Sequence, residues 1–397
     1  MSRRRDFPLS EGVRGITSLA IIVVHVWLVT ETYGTDLISR MVIRLDACVA
    51  IFFALSAFLL YRPMIARRTG GPHGPSTREY ARRRFFRIYP TYWFTLTVLA
   101  VVPGLAGVFG PGWWAYYSLA ANWIPEYSSA TCYGTQLCGL PQTWTLTTEM
   151  SFYILLPAFA WATTRLWRRR PEGGWVPVEL ALIAAAGTLS LLLHVMPGFP
   201  SDSLWFLFSF VGHFDWLGLG LALAVISVAL EGREPPALVR AVAAHPGRCY
   251  LGALAIYAVM VAALPPVPFP LEPDDLAYVS MHLGHLAMAT LILLPVVFGD
   301  PNRGASRRFL GHPVAIWFGL ISYGLYLWHF TIAYQLGTGG AEASFGEVLP
   351  LTLLISIPLA AFSWYAIERP MMRFKYRRPR RGGDEEGDRR PDWPAAR

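Results

Sequence analysis

Residues 11–30 read EGVRGITSLAIIVVHVWLVT. The stretch has the apolar character and the length, about 20 residues, of a helix that crosses a bilayer. Yet Arg14 stands at one end and His25 lies deep inside it. Polar side chains in hydrocarbon are costly, so each one requires a protein partner, a water-filled cavity or a function. Eleven helical steps of about 100° make three turns plus roughly 20°, which places Arg14 and His25 on one face, about 16 Å apart along the axis. A guanidinium at one mouth and an imidazole beyond the midplane therefore share a stripe.

Composition extends this reading to the whole chain. Of 397 residues, 54% are hydrophobic and only 15% charged, whereas soluble domains are about a quarter charged. The fold class expected is all-α, a polytopic integral membrane bundle embedded in a lipid bilayer. The net charge of +8 rests on arginine, Lys375 being the sole lysine. A basic chain can signal a nucleic-acid partner, but here the basic residues lie between apolar segments, as a positive-inside signal does, and no nucleic acid is expected. Arg3, Arg4 and Arg5 precede the first apolar stretch as they would in a signal peptide, but no small-residue cleavage site follows Thr30, so the segment reads as retained.

Apolar runs of about 20 residues predict about ten spans, at 13–30, 46–62, 91–109, 144–164, 175–195, 204–230, 249–264, 276–298, 314–335 and 348–367. With the N-terminus inside, 32 of the 34 Lys and Arg fall on the inner side, leaving only Arg40 and Arg44 outside. That asymmetry puts both termini in the cytoplasm and requires an even number of spans. Eight or twelve would need a segment split or merged, most simply 204–230 or 46–62. Residues 1–374 form the expected membrane domain, and 375–397, mixed in charge and rich in Gly and Pro, read as a disordered cytoplasmic tail. No soluble domain is expected at either end. Of four cysteines, Cys132 and Cys138 share the longest outer loop and are the disulfide candidate, while Cys48 and Cys249 read as packing residues.

Several other spans carry polar groups near the depth of His25. Glu149 in QTWTLTTEMSFYILLP and His329 in GLISYGLYLWHF reach that layer from opposite sides, His282 and His285 in YVSMHLGHLAM fall in it, and Asp46 marks the lip of the second span. With Tyr323 they suggest a polar chamber opening outward. A carboxylate beside an imidazole orients the ring and stabilises its charged form, so Glu149 with His25 is the preferred general-base pair. For a lone histidine, a hydrogen bond to a neighbouring helix is an equal reading. The i, i+3 spacing of His282 and His285 could suit a metal, but no third ligand is evident and no metal is expected. His213 and Asp215 belong to the same network or satisfy each other. On the inner side Arg82, Arg83, Arg84 and Arg87 precede a span. They set topology, and with Arg14 they would also form an anion site, since guanidinium forks match phosphates. Trp113, Trp114, Tyr116, Tyr117 and Trp123 read as an interfacial belt ahead of a sugar-stacking surface.

Taken in order, SEGVRGITSLAIIVVHVW, AIFFALSAFLLYRP, ARRRFFRIYPTYW, QTWTLTTEMSFYILLP, ISYGLYLWHF and AIERPMMRF span residues 10–374. The set resembles the acyltransferase 3 family, bacterial membrane enzymes that O-acylate surface glycans, glycolipids, peptidoglycan or secreted natural products. The resemblance implies residence in the cytoplasmic membrane and an acyl-CoA co-substrate, acetyl-CoA first, taken from the cytoplasm with no tightly bound cofactor. The acceptor would be a hydroxyl of a glycan or of a small molecule such as a macrolide. His25 matches the family's catalytic histidine, Arg14 the arginine paired with it, Arg84 and Arg87 an Arg-x-x-Arg motif at the donor end, and Glu149 a family carboxylate. Two departures stand out. Ala57 replaces a usual Gly and is expected to tighten a helix contact, and SEGVRG replaces Leu-Asp-Gly-x-Arg-Gly while keeping Arg14. Some members carry an extracytoplasmic hydrolase-like domain. None is seen here, so the chain is expected to act alone or to hand its acyl group to another protein. His25 could act as a base or form an acyl-imidazole. A proton-coupled transporter is the alternative function, although no repeated Gly or Pro breaks relate two halves. The other large family of membrane O-acyltransferases lacks this Arg-to-His spacing and the RIYP and LYLWH segments.

Overall fold

The structure is a computed structural model that describes residues 7–30, 36–70, 75–127, 138–167, 174–196, 204–264, 275–300, 304–338 and 343–374. Ten principal helices overlie the ten expected spans: α1 (Leu9–Val29), α2 (Cys48–Arg68), α3 (Thr77–Leu99), α4 (Trp144–Trp167), α5 (Trp175–Leu193), α6 (Phe214–Ala229), α7 (Pro246–Ala263), α8 (Asp275–Phe298), α9 (Pro313–Thr338) and α10 (Phe345–Phe362). Eight of these stretches are long and apolar enough to cross a membrane. The other two are α6, which has only 16 residues, and α4, whose first turns hold Thr145, Thr147, Thr148, Glu149 and Ser151. Among the described residues there is no β-strand, only an isolated bridge between Ala106 and Cys138. The chain is an all-α membrane bundle. Within a bilayer this is one of only two ways to satisfy every backbone N–H and C=O.

Helix starts are written in the sequence. Ser76 and Glu79 form a reciprocal capping box on α3, each side chain accepting from the other's backbone N–H, at 3.2 and 2.9 Å. Ser344 and Glu347 do the same on α10. Asp36 caps the short helix Leu37–Ile43, accepting from the N–H groups of Ile38 and Ser39. Each cap supplies acceptors for N–H groups that the helix itself leaves without partners.

Side-chain meetings give the helix directions. Gly12 and Gly15 of α1 lie against Leu310 and Ala315, His25 meets His329, and Val29 lies by Gly337, so α1 and α9 run parallel. Phe53 faces Trp144 while Arg68 reaches Thr163, making α2 and α4 parallel. Tyr323 meets Ile88 and Trp328 meets Phe94, so α3 and α9 are parallel too. On α7 and α8 the order reverses, with Gly252 at Leu291 and Met260 at Gly284. In these pairs odd helices run parallel to odd, even to even, and consecutive helices antiparallel, as alternating crossings require.

Small residues let backbones touch where the site is built. A Cβ on Gly12 would stand 2.0 Å from the Leu310 carbonyl oxygen, and one on Gly319 would stand 2.0 Å from that of Glu11. On the other side of the bundle, a Cβ on Gly220 would come within 2.0 Å of the Ala54 carbonyl and 2.8 Å of the Ala57 Cβ. Ala57, fully buried, thus fills a contact between α2 and α6 that packs small residue on small residue.

The two arginines expected outside are held by the protein. Arg40 donates to the carbonyls of Ala262 and Leu264, each at 3.2 Å, and Arg44, only 2% exposed, reaches the Met281 sulfur at 3.1 Å. At the opposite end Arg62 pairs with Glu231, and Arg68 with Glu179 at 3.2 Å. Cys48 and Cys249 are buried and free. The expected Cys132–Cys138 pair involves Cys132, which lies outside the described residues, as do 375–397. Trp113, Trp114 and Trp123 are exposed.

Candidate active site

One cavity of about 360 Å³ lies between α1, α2, α3, α4 and α9. Each helix contributes a stripe at helical spacing. From α1 come Arg14, Ser18, Ile21 and His25, from α4 Thr145, Glu149 and Tyr153, and from α9 Ser322, Tyr323, Tyr326 and Phe330. Arg84 and Arg87 enter from α3, and Phe53 and Ser56 from α2. The face shared by Arg14 and His25 is thus turned to open space within the protein and away from lipid. Four guanidiniums, those of Arg14, Arg44, Arg84 and Arg87, face two carboxylates, Asp46 and Glu149. That cationic excess suits an anionic ligand.

At the arginine end the guanidiniums are unequal. Arg87 donates to the buried Glu368 at 2.7 Å and lies between the rings of Tyr323 and Trp364, at 5.8 and 5.6 Å. Arg14 stands at the 4.0 Å limit of ion pairing with Glu11. Arg84 makes no ion pair among the described residues and contacts the Tyr153 ring at 5.9 Å. Arg84 and Arg14 are therefore the groups best placed to take a new anion.

Midway, Glu149 accepts from the Tyr153 hydroxyl at 2.9 Å, with Ser56 beside the same carboxyl. The Tyr80 hydroxyl donates to the Tyr153 carbonyl at 3.1 Å. Gln142 donates to the carbonyls of Tyr326 and Leu327, at 3.2 and 3.0 Å, and the Tyr326 hydroxyl returns a bond to the Gln142 carbonyl at 2.7 Å. This double clamp fastens the start of α4 to the middle of α9. Tyr323 donates to the Ile88 carbonyl at 3.0 Å and so joins α9 to α3.

At the histidine end, His25 Nδ1 stands 2.7 Å from His329 Nε2, and His329 Nδ1 stands 2.7 Å from the Leu325 carbonyl oxygen. Phe330 meets the His25 ring at 5.1 Å with planes at 81°. His25 borders the cavity, whereas His329 is wholly buried behind it.

Residues 10–369 match the family model described as "Acyltransferase domain", that of acyltransferase 3. The chain belongs to this acyltransferase family. Its apolar helices and this family membership make it a multi-pass membrane protein. Acyltransferase MdmB of Streptomyces mycarofaciens is 25% identical over 225 residues, covering 50% of this chain and 51% of that protein. Peptidoglycan O-acetyltransferase OatA of Listeria monocytogenes serovar 1/2a is 23% identical over 346 residues, covering 83% of this chain and 50% of that protein. The chain thus spans about half the length of the curated relatives it matches. No solved structure matches it.

Of the acyltransferase residues expected from the sequence, His25, Glu149, Arg14, Arg84, Arg87, Asp46 and Tyr323 all border the one cavity. The preferred partnership of Glu149 with His25 is replaced by another. Glu149 bonds Tyr153, and His25 meets His329, because the glycine contacts bring α1 and α9 close enough for two short side chains to touch. His282 and His285 lie outside the cavity lining. His282 contacts both oxygens of Asp215 at 2.9 and 3.0 Å, and His285 stands 3.0 Å from Asp46 without hydrogen-bond alignment. Among the described residues no three His, Cys, Asp or Glu converge as a metal site would require.

Two contacts at the cavity, those of Glu368 with Arg87 and of Tyr153 with Glu149, are not among the residues expected from the sequence. Glu368 lies within AIERPMMRF and was readable as the lone carboxylate beside an arginine-rich end. Tyr153 follows Glu149 by four residues, the spacing that stacks side chains on one helix face.

Proposed function

We propose that this acyltransferase moves an acyl group, acetyl first, from cytoplasmic acyl-CoA to a hydroxyl of a glycan, glycolipid or secreted natural product. The reading places the protein in the cytoplasmic membrane of a bacterium with both termini in the cytoplasm. The observation that carries it is the single cavity bordered by Arg14 and Arg84 at one end and His25 at the other. A nucleotide carrying phosphates cannot enter hydrocarbon, so it would dock on Arg84 and Arg14, with Arg87 held ready by Glu368. The pantetheine arm would follow the α1 stripe over about 16 Å to bring the thioester to His25. Val24, Phe52, Phe53 and Phe330 supply apolar wall for the acyl group.

The acceptor hydroxyl then attacks the thioester carbonyl while His25 Nε2 takes its proton. The new C–O bond forms, the C–S bond breaks, and His25 returns the proton to the leaving thiolate, releasing ester and CoA thiol. Glu149, between the two ends, balances the guanidiniums and fixes Tyr153. The acceptor enters from the end marked by Asp46 and Arg44.

The test is release of free thiol by purified protein given acetyl-CoA and an acceptor panel of sugars, glycolipids and macrolides. Loss of that release in His25→Ala, with Arg84→Ala raising the KM for acyl-CoA, is the expected result. Thiol release at the full rate in His25→Ala would refute the site.

A further inference from the structure

The His25–His329 contact has an unusual shape. The rings are within 6° of parallel, yet their centroids are 5.0 Å apart with Nδ1 and Nε2 only 2.7 Å apart. That centroid separation is the one expected when both nitrogens lie on the line joining the ring centres. The rings are therefore coplanar and end to end, in line for a hydrogen bond, and not stacked face to face.

The direction of that bond follows from what lies behind it. A carbonyl oxygen only accepts, so the Leu325 carbonyl at 2.7 Å fixes the proton of His329 on Nδ1. A neutral His329 then presents a bare Nε2. That lone pair can be met only by an N–H, which places the proton of neutral His25 on Nδ1 and leaves its Nε2 unprotonated. Phe330 holds the plane of the His25 ring from the side, and the glycine contacts at Gly12, Gly15 and Gly319 hold the helices at the distance the pair needs.

We propose that His329 is the positioning residue for His25, setting its base-competent tautomer by relay from the Leu325 carbonyl. The inference rests on the acyl-transfer reading above and assigns to His329 the orienting task that an anionic carboxylate performs elsewhere. A neutral ring suits a site with no exposure, where an unpaired carboxylate would be costly to bury. When His25 Nε2 takes the hydroxyl proton, the Nδ1–H bond to His329 spreads the positive charge over two rings, and the Leu325 carbonyl receives its far end.

Two substitutions separate relay from packing. His329→Phe keeps a flat ring without an acceptor, whereas His329→Gln offers an amide oxygen at the Nε2 position. His329→Phe is expected to lower kcat about 100-fold, within the range of a misdirected general base, with the KM for acetyl-CoA unchanged. His329→Gln should recover most of that loss. Nitrogen-15 NMR of histidine-labelled protein, with His25 assigned by its absence in His25→Ala, should show the Nδ1–H tautomer in the wild type and a mixture in His329→Phe. Full kcat in His329→Phe while His25→Ala is inactive would overturn the relay alone, and activity in His25→Ala would overturn the reading beneath it. A wild-type His25 carrying its proton on Nε2 would overturn the relay even if neither His329 variant folds.

Discussion

His25 with His329 and His282 with Asp215 are two buried histidine pairs in one bundle, and the space around them differs. His282 has a carboxylate bound through both oxygens, the Trp216 ring stacked at 4.3 Å, and His194 and His213 at 4.9 and 5.6 Å. It is 1% exposed and does not border the cavity that His25 lines. His25 has a neutral partner on one nitrogen, the Phe330 ring nearly perpendicular beside it, and the cavity along its side. The His282 pair binds α6 to α8 away from this cavity, whereas a ring that faces the cavity can exchange a proton with a ligand there. Burial and residue type alone do not distinguish the two. The cavity beside His25 does.

The sharpest way to break this comparison is to delete each side of it. His25→Ala removes the base and is expected to reduce kcat by about 10³-fold, with thermal stability in detergent little changed because the ring already borders a cavity. Arg84→Ala comes next. Loss of one charge-assisted contact to phosphate should raise the KM for acyl-CoA about 10- to 100-fold and leave kcat nearly intact, measured by thiol release at saturating acceptor. An equal fall in kcat and no change in KM would move Arg84 out of donor binding.

Gly319→Ala probes the framework of the active pair without touching either ring. Its Cβ would meet the Glu11 carbonyl oxygen at 2.0 Å, so α1 and α9 must separate or slide. Overpacking of this kind costs about 1–3 kcal/mol, read as a lower melting temperature, and the displaced His329 should lower kcat along with it. Normal kcat and normal melting together would show that the two helices do not depend on that contact.

These contrasts also mark what the sequence could disclose. The stripe from Arg14 to His25 is legible because eleven residues nearly close three turns of a helix, and the apolar helices are legible because hydrophobic length is a local property. Depth could be estimated too, which is why His25, Glu149, His329, His282 and His285 were placed in one layer. Azimuth could not. Whether His25 faces α4 or α9 depends on which helices pack together, and that is decided by Gly12, Gly15 and Gly319 meeting backbone across nearly the whole length of the chain. Position in depth therefore groups five residues that the bundle divides: His25 and Glu149 line the cavity, His329 lies behind it, and His282 and His285 lie outside its lining.

The smallest effect on catalysis should come from the cluster around His282. Asp215→Asn keeps the shape of the side chain and leaves His282 with a neutral partner, so α6 and α8 remain joined by a weaker bond. Exchanging a charge-assisted bond for a neutral one costs about 1 kcal/mol, which should appear as a slightly lower melting temperature. Because neither residue borders the cavity, kcat and the KM for acyl-CoA per folded molecule should match the wild type. If instead kcat falls as far in Asp215→Asn as in His329→Phe, the cluster takes part in proton movement through Asp46, which borders the cavity and stands beside His285. The two histidine groups would then form one network, and the distinction drawn from the cavity would fail.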